Sequence, residues 1–466
     1  MFSDIIDILS NFLYSYVLII ILLVGGLYFT LRTGFVQFRL FFEQFRVVGE
    51  KPKGDKKVSS FQALMVSTAS RVGTGNIIGV STALCIGGFG SVFWMWVIAL
   101  IGCASAFIES TLAQIYKKRA ANGSYGGPAY YIETALRCRP LAIFFSIMII
   151  FTYGFGFNML ASYNLQSTFS AYSFYNEKIS PFIIGGIIAA IVCFCLFGGG
   201  KRILKITGFL VPFMGIAYIA VALVIVALNV TSLPSIFSRI FSEAFDLKAI
   251  FGGFGGSCVM YGIKRGLFSN EAGVGSAPNA SASADVSHPV KQGLVQMLSV
   301  FIDTIIICSA TAFMCMCSGI APSTELSGAP YVQESLKATL GEFGPIFITA
   351  AMLLFAFTTL VGNLYYVDKA IVHIAGRLPS KRFMCAYYVA ASLVIFIGAG
   401  LDSALLWNIA DVTMGIMAIV NIPVILILSK YALNALKDYS RQRKEGKEPV
   451  FRAKDISLPH DVDYWQ

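Results

Sequence analysis

Apolar residues run through this chain in stretches of about twenty, separated by short polar connections. A helix that crosses a bilayer needs about 20 apolar residues. On that basis the pattern predicts about eleven spans, over residues 14–31, 62–84, 88–115, 140–170, 181–198, 206–229, 253–275, 293–318, 344–374, 383–401 and 404–430. The stretches 88–115, 140–170 and 344–374 exceed the bilayer thickness and are expected to tilt or project beyond it. Two of the runs are interrupted by glycine, at Ser70-Arg-Val-Gly-Thr-Gly-Asn-Ile-Ile-Gly79 and at Arg265-Gly-Leu-Phe-Ser-Asn-Glu-Ala-Gly-Val-Gly-Ser276. At membrane depth an unwound backbone is tolerated only where it is buried in protein or lines a cavity. Paired interruptions in corresponding halves of a membrane chain point to a transporter's central binding site.

Composition agrees with an all-α polytopic membrane protein. Of the 466 residues 56% are hydrophobic and 13% charged, with a mean hydropathy of +0.73; a soluble domain carries roughly 25% charged residues. The net charge of +10 would suit nucleic acid, but its distribution does not, and no nucleic-acid partner is expected. Basic residues collect in alternate connections: Arg32 to Lys57, Lys117 to Arg139, Lys201 to Lys205, Lys369 to Arg382, and the tail from Lys430. The intervening 171–180 and 319–343 hold one lysine each. With eleven spans every basic connection falls on one side. The amino terminus is therefore expected outside and the carboxyl terminus in the cytoplasm. Asp4 and Asp7 precede the first span and no small-residue cleavage site follows it, unlike a signal peptide. Residues 33–50 mix aromatics with spaced charges and predict an amphipathic helix in the cytoplasmic interface. The ten cysteines form no C-x-x-C pair and read as small buried hydrophobes.

A helix broken at mid-membrane exposes the orphan amides of one half and the orphan carbonyls of the other. The amide end suits a carboxylate and the carbonyl end a small cation, so two facing breaks make a site for a zwitterionic amino acid with a cation. Thr74, Gly75 and Asn76 at the first break, and Phe268, Ser269 and Asn270 at the second, are the candidate binding residues. Charges inside spans are functional candidates by default: Arg71, Glu109, Lys264, Arg265, Glu271, Asp303 and Asp411. Glu271 is expected to pair with Arg71 or Arg265 and hold its break in shape, while Asp303 and Asp411 are candidate proton or sodium sites. His288, His373 and His460 fall outside the spans, which argues against a histidine proton relay. No His-Glu-x-x-His, phosphate loop or nucleophile elbow occurs, so no enzyme is expected, and no repeated pore loop suggests a channel.

Several stretches together resemble the alanine-or-glycine:cation symporter family, the sodium:alanine symporters. They are Arg71-Val-Gly-Thr-Gly-Asn-Ile-Ile-Gly79, Phe93-Trp-Met-Trp96, Gly126-Gly-Pro-Ala-Tyr-Tyr-Ile132, Arg265 to Pro278, His288-Pro-Val-Lys-Gln-Gly293 and Phe301-Ile-Asp-Thr304. The resemblance covers about residues 15–435. It implies the five-plus-five inverted-repeat (LeuT-like, APC superfamily) fold after one extra amino-terminal helix. On that reading residues 1–60 hold the extra span and the interfacial helix, 61–230 and 231–430 the two repeats, and 431–466 a basic cytoplasmic tail. The implied activity is sodium-coupled uptake of a small neutral amino acid by alternating access, with a proton-coupled permease of the same fold as the alternative. By similarity Thr74, Gly75, Phe268 and Asn270 would hold substrate, and Thr358 and Thr359 would supply hydroxyls to a co-transported sodium ion. The chain departs from the family at Asn363, where tryptophan is usual, at Ala161, where glutamine is usual, and at Ala106, where lysine is common. Smaller groups at Ala161 and Asn363 imply a wider pocket, and Asn363 adds an amide. The substrate is thus expected to be alanine or glycine, or a larger amino acid such as glutamine or asparagine recognised through Asn363.

Overall fold

A computed structural model describes residues 2–50, 57–120, 123–246, 257–456, 458 and 462–465. The first part of the expected span at 253–275, with Lys51, Lys53, Lys56 and His460, lies outside them. Among the described residues eight helices are long and apolar enough to cross a membrane. They are α1 (Ser3–Arg32), α4 (Gly90–Ile115), α5 (Arg139–Ala171), α7 (Gly199–Leu228), α10 (Val290–Met316), α11 (Phe343–Ala375), α12 (Lys381–Gly398) and α13 (Ser403–Lys444). α6 (Ser180–Leu196) is shorter and apolar. The remaining two expected spans are interrupted. The first comprises α2 (Ser60–Arg71) and α3 (Ile78–Gly87), joined by one 3₁₀ turn over Thr74–Asn76; the second comprises α8 (Cys258–Asn270) and α9 (Pro278–Ser281). Apart from a two-stranded hairpin at Lys118–Ala120 and Gly123–Tyr125, the described fold is helical.

The reason each interrupted helix stops is local. Ser59 starts α2 with a capping box, its hydroxyl accepting from the Gln62 amide. At the far end the Val72 amide closes the last turn on Thr68 O, but the Gly73 amide turns to the Asn76 side chain at 2.8 Å. Ala69 O thereby loses its helical donor. In α8 the Glu271 amide closes on Leu267 O, and Glu271 itself adopts the left-handed conformation at φ 50°. The next amide, Ala272, goes to Asn270 Oδ1 at 3.0 Å. Gly273 and Gly275 follow at φ 82° and 92°, conformations open to glycine. The second break therefore starts at Glu271 and not at Phe268.

α5 and α10 each carry a wider π-helical stretch, at Ile150–Gly156 and Phe301–Cys308. Such bulges collect at functional sites, and here they lie beside the two breaks. Residues 33–50 form two short helices, Val36–Arg39 and Phe41–Val48, with Phe35 left-handed ahead of them. The final helix runs to Lys444, and the chain after it lies back against the body. The Trp465 indole donates to Gln114 O at 2.7 Å, and the Phe451 amide to Ser287 O at 2.9 Å. The Lys117 ammonium sits 3.9 Å from the Tyr464 ring centroid. Burial there pushes its pKa down to about 7.

Candidate functional site

The two breaks meet. A Cβ on Gly75 would fall 2.8 Å from the Phe268 ring, so backbone and ring are already in contact. Asn76 reaches across to the last turn of α8 and to α10: its Nδ2 donates to Ser269 Oγ at 2.9 Å and to Asp303 Oδ1 at 2.7 Å. Ser269 Oγ donates to Asp303 Oδ2 at 2.6 Å, and Thr304 Oγ1 to the same oxygen at 2.8 Å. All four side chains are buried. A fully buried carboxylate is costly unless its oxygens are met by donors, and Asp303 collects one from the first break and one from the last turn of α8, just before the second.

This arrangement leaves particular backbone groups unmatched. Thr74 and Gly75 open a 3₁₀ turn, so their amides have no acceptor within it, while the carbonyls that end α2 and α8 have no donor within those helices. The first break thus offers an amide end suited to an anion and a carbonyl end suited to a cation. Phe157 stacks on Phe268 at 4.6 Å between centroids, and the Trp407 ring lies 4.8 Å from Phe268. The Arg265 guanidinium lies 4.1 Å from the Trp407 centroid. It shares Asp411 with Lys264, whose Nζ is 2.9 Å from Asp411 Oδ2.

Thr359 on α11 stands against the first break. Its Oγ1 donates to Ala69 O at 3.3 Å, and a Cβ on Gly73 would come within 2.1 Å of that hydroxyl. Hydroxyl and carbonyl oxygens are suitable hard ligands for a small cation, and these two converge where α2 ends. Thr358 is turned elsewhere: its hydroxyl bonds Leu354 O at 2.9 Å and Phe355 O at 3.1 Å, and approaches Met214 of α7.

Of the charges, Asp303 joins the two breaks, whereas Asp411 belongs to the buried Lys264–Arg265 group. Glu271 bonds Ser276 Oγ at 2.5 Å. Among the described residues it forms no ion pair with Arg71 or Arg265; Arg71 donates instead to Gln296 Oε1 at 3.1 Å. Asn270 uses its Oδ1 on the backbone and keeps Nδ2 unpartnered. Asn363 is fully engaged, accepting from Ser70 Oγ at 2.6 Å and donating to Asn158 Oδ1 at 2.9 Å. Ala161 is buried on α5. Sequence reasoning missed Phe157, Asn158 and Asn164 on α5 and Trp407 on α13. Asn164 Nδ2 donates to Thr74 Oγ1 at 3.0 Å. Two asparagines within one apolar span were the available signal, since polar groups there need partners.

Known proteins share this architecture. The sodium:alanine symporter family matches residues 1–453. The chain is 44% identical over 465 residues to amino-acid carrier protein AlsT of Bacillus subtilis (strain 168), covering 100% of this chain and 98% of that one. To the probable sodium/glutamine symporter GlnT of the same organism it is 41% identical over 466 residues, covering 99% and 96%. Among solved structures, MhsT in complex with L-phenylalanine superposes with a TM-score of 0.58 over 84% of this chain and 93% of that one, at 16% identity, which shows a common fold. The sequence match extends across both broken helices and every span between them: the chain is a membrane transporter and belongs to the sodium:alanine symporter family.

Proposed function

We propose that this protein takes up a small neutral amino acid together with sodium, by alternating access. The observation that carries the reading is the meeting of two interrupted helices. The Thr74 and Gly75 amides suit the substrate carboxylate, and the carbonyl ends of α2 and α8 suit its ammonium. Thr359 Oγ1 and Ala69 O are the oxygens for sodium. The names of AlsT and GlnT, an amino-acid carrier and a probable sodium/glutamine symporter, support the same class. In the cycle sodium completes the substrate site, substrate closes it, and the bundle holding both broken helices rocks against the remaining spans. Coupling requires each ligand to raise the other's affinity by the same factor. An inward sodium gradient and a negative interior supply the work, about 2.3 kcal/mol per charge across 100 mV. The amino terminus lies outside and the carboxyl terminus in the cytoplasm, in the plasma membrane of a prokaryote.

Uptake of labelled alanine into proteoliposomes tests the reading, run with a sodium gradient and then with a pH gradient alone. Sodium-dependent uptake is expected; uptake that follows only the pH gradient establishes the proton-coupled alternative. Thr359→Ala removes one cation ligand and is expected to raise the half-activating sodium concentration about tenfold, the size of one lost interaction. Unchanged sodium activation in that variant sinks the assignment. Gly75→Ala drives a methyl against the Phe268 ring, 2.8 Å away. It is expected to raise the half-saturating alanine concentration at least tenfold at unchanged protein level, and wild-type saturation would show that the two breaks do not close on substrate.

A further inference from the structure

We infer that Asn158, held in place by Asn363, reads the side chain of the transported amino acid and selects a carboxamide, the group carried by glutamine and asparagine. The inference rests on the transport reading above and names the substrate class of that same site. It starts from a relay of three side chains. Ser70, in the last turn of α2, donates to Asn363 Oδ1, and Asn363 Nδ2 donates to Asn158 Oδ1. Asn363 is thereby used at both ends. Asn158 is not: its Nδ2 is buried with no partner, on a residue that is 0% exposed.

Two residue turns further along α5 the polarity reverses. Asn164 spends its Nδ2 on Thr74 Oγ1 and leaves Oδ1 buried without a donor, on a residue 1% exposed. Between the two asparagines lies the small Ala161. An unmet buried donor or acceptor costs about 1–3 kcal/mol, so both positions call for an occupant. They stand six residues apart, about 9 Å along the helix axis, too far for one carboxamide to satisfy both. Six residues also leave the two side chains about 120° apart around the helix, one on each flank of Ala161, so the interval fits an amino acid lying obliquely across that alanine. Its ammonium meets Asn164 Oδ1 beside Thr74 in the first break, and its side chain reaches down to Asn158 Nδ2, level with Ser70.

The side-chain group at Asn158 must then accept a hydrogen bond without bringing charge. An aliphatic or thioether side chain leaves the amide unmet. A carboxylate accepts, but brings a full charge into a buried relay built of the neutral side chains Ser70, Asn363 and Asn158. A carboxamide oxygen accepts while its own NH₂ remains available to the relay. Asn158 is thus the residue that touches substrate, and Asn363 is a positioning residue that acts through it.

The test is sodium-driven uptake of labelled alanine by the full chain in proteoliposomes, inhibited by unlabelled L-glutamine or by L-methionine, which has similar length and no amide. Glutamine is expected to inhibit at a concentration at least tenfold lower than methionine. In Asn158→Leu that ratio falls to within about twofold. Asn363→Leu lowers the ratio to the same extent, and the double variant lowers it no further, because both act on one contact. Equal potency of glutamine and methionine in the wild type overturns the inference and requires no variant to fold. So does a ratio that survives Asn158→Leu, or effects of the two substitutions that simply add. Alanine uptake indifferent to sodium would instead overturn the transport reading itself.

Discussion

Replacing Asp411 by alanine is expected to destabilise the protein by about 3–5 kcal/mol, the largest single-site loss of stability in the molecule. Asp411 is fully buried and faces two buried cations, with Lys264 Nζ at 2.9 Å and Arg265 Nη2 at 3.4 Å. Removing the carboxylate leaves the two buried positive charges without the group they share, beside the Trp407 ring. Removing Lys264 does not, because Arg265 still neutralises Asp411 and the excess positive charge disappears. Lys264→Met is therefore expected to stay within about 1 kcal/mol of wild type, a contrast that generic damage at the site would not produce. Equilibrium unfolding in detergent micelles measures both. An Asp411→Ala protein as stable as wild type, or a Lys264→Met protein equally damaged, would show that the three groups are solvated in a way their burial denies.

Asp303→Ala is expected to have the largest effect on transport, lowering the uptake rate about a hundredfold or more at unchanged protein level. The carboxylate accepts from Asn76 on the first break, from Ser269 in the last helical turn before the second and from Thr304 beside it. Hydrogen bonds to a charged group are worth about 1.5–3 kcal/mol each. Losing the two that join the breaks removes about 3 kcal/mol or more from the arrangement, and 1.36 kcal/mol corresponds to a factor of ten in rate. Asp303→Asn keeps the shape and one acceptor oxygen, and is expected to fall between. Initial-rate uptake in proteoliposomes of matched protein content makes the comparison. An Asp303→Ala rate within threefold of wild type would mean that the two breaks hold their geometry without this bridge.

The first interruption was legible to within a residue. Val72-Gly73 stops α2 and Asn76 caps the opened turn through a contact three residues long, so all its causes are local. The second lies in the carboxyl-terminal half of the stretch read from the sequence, Arg265 to Ser276. The apolar run hides the fact that Glu271 takes the left-handed cap and that Gly273 and Gly275 carry the opened backbone, which moves the break toward the carboxyl end. Thr358 and Thr359 look equivalent as neighbours in sequence. On a helix they point about 100° apart, and Thr359 alone meets the first break. Asn363 looked like a free amide for substrate, whereas Asn158, 205 positions away, takes its donor.

Sequence alone settled the class of this molecule and the two places where the backbone leaves its ladder. Those depend on hydropathy and on neighbours a few residues apart. Only the tertiary structure decided that Asp411 belongs with Lys264 and Arg265, that Asp303 joins both openings, and that Asn158 keeps an unmatched amide. Each of those outcomes follows from which buried polar group finds which partner. At membrane depth no water can stand in for a missing one, so the packing of distant helices makes the choice.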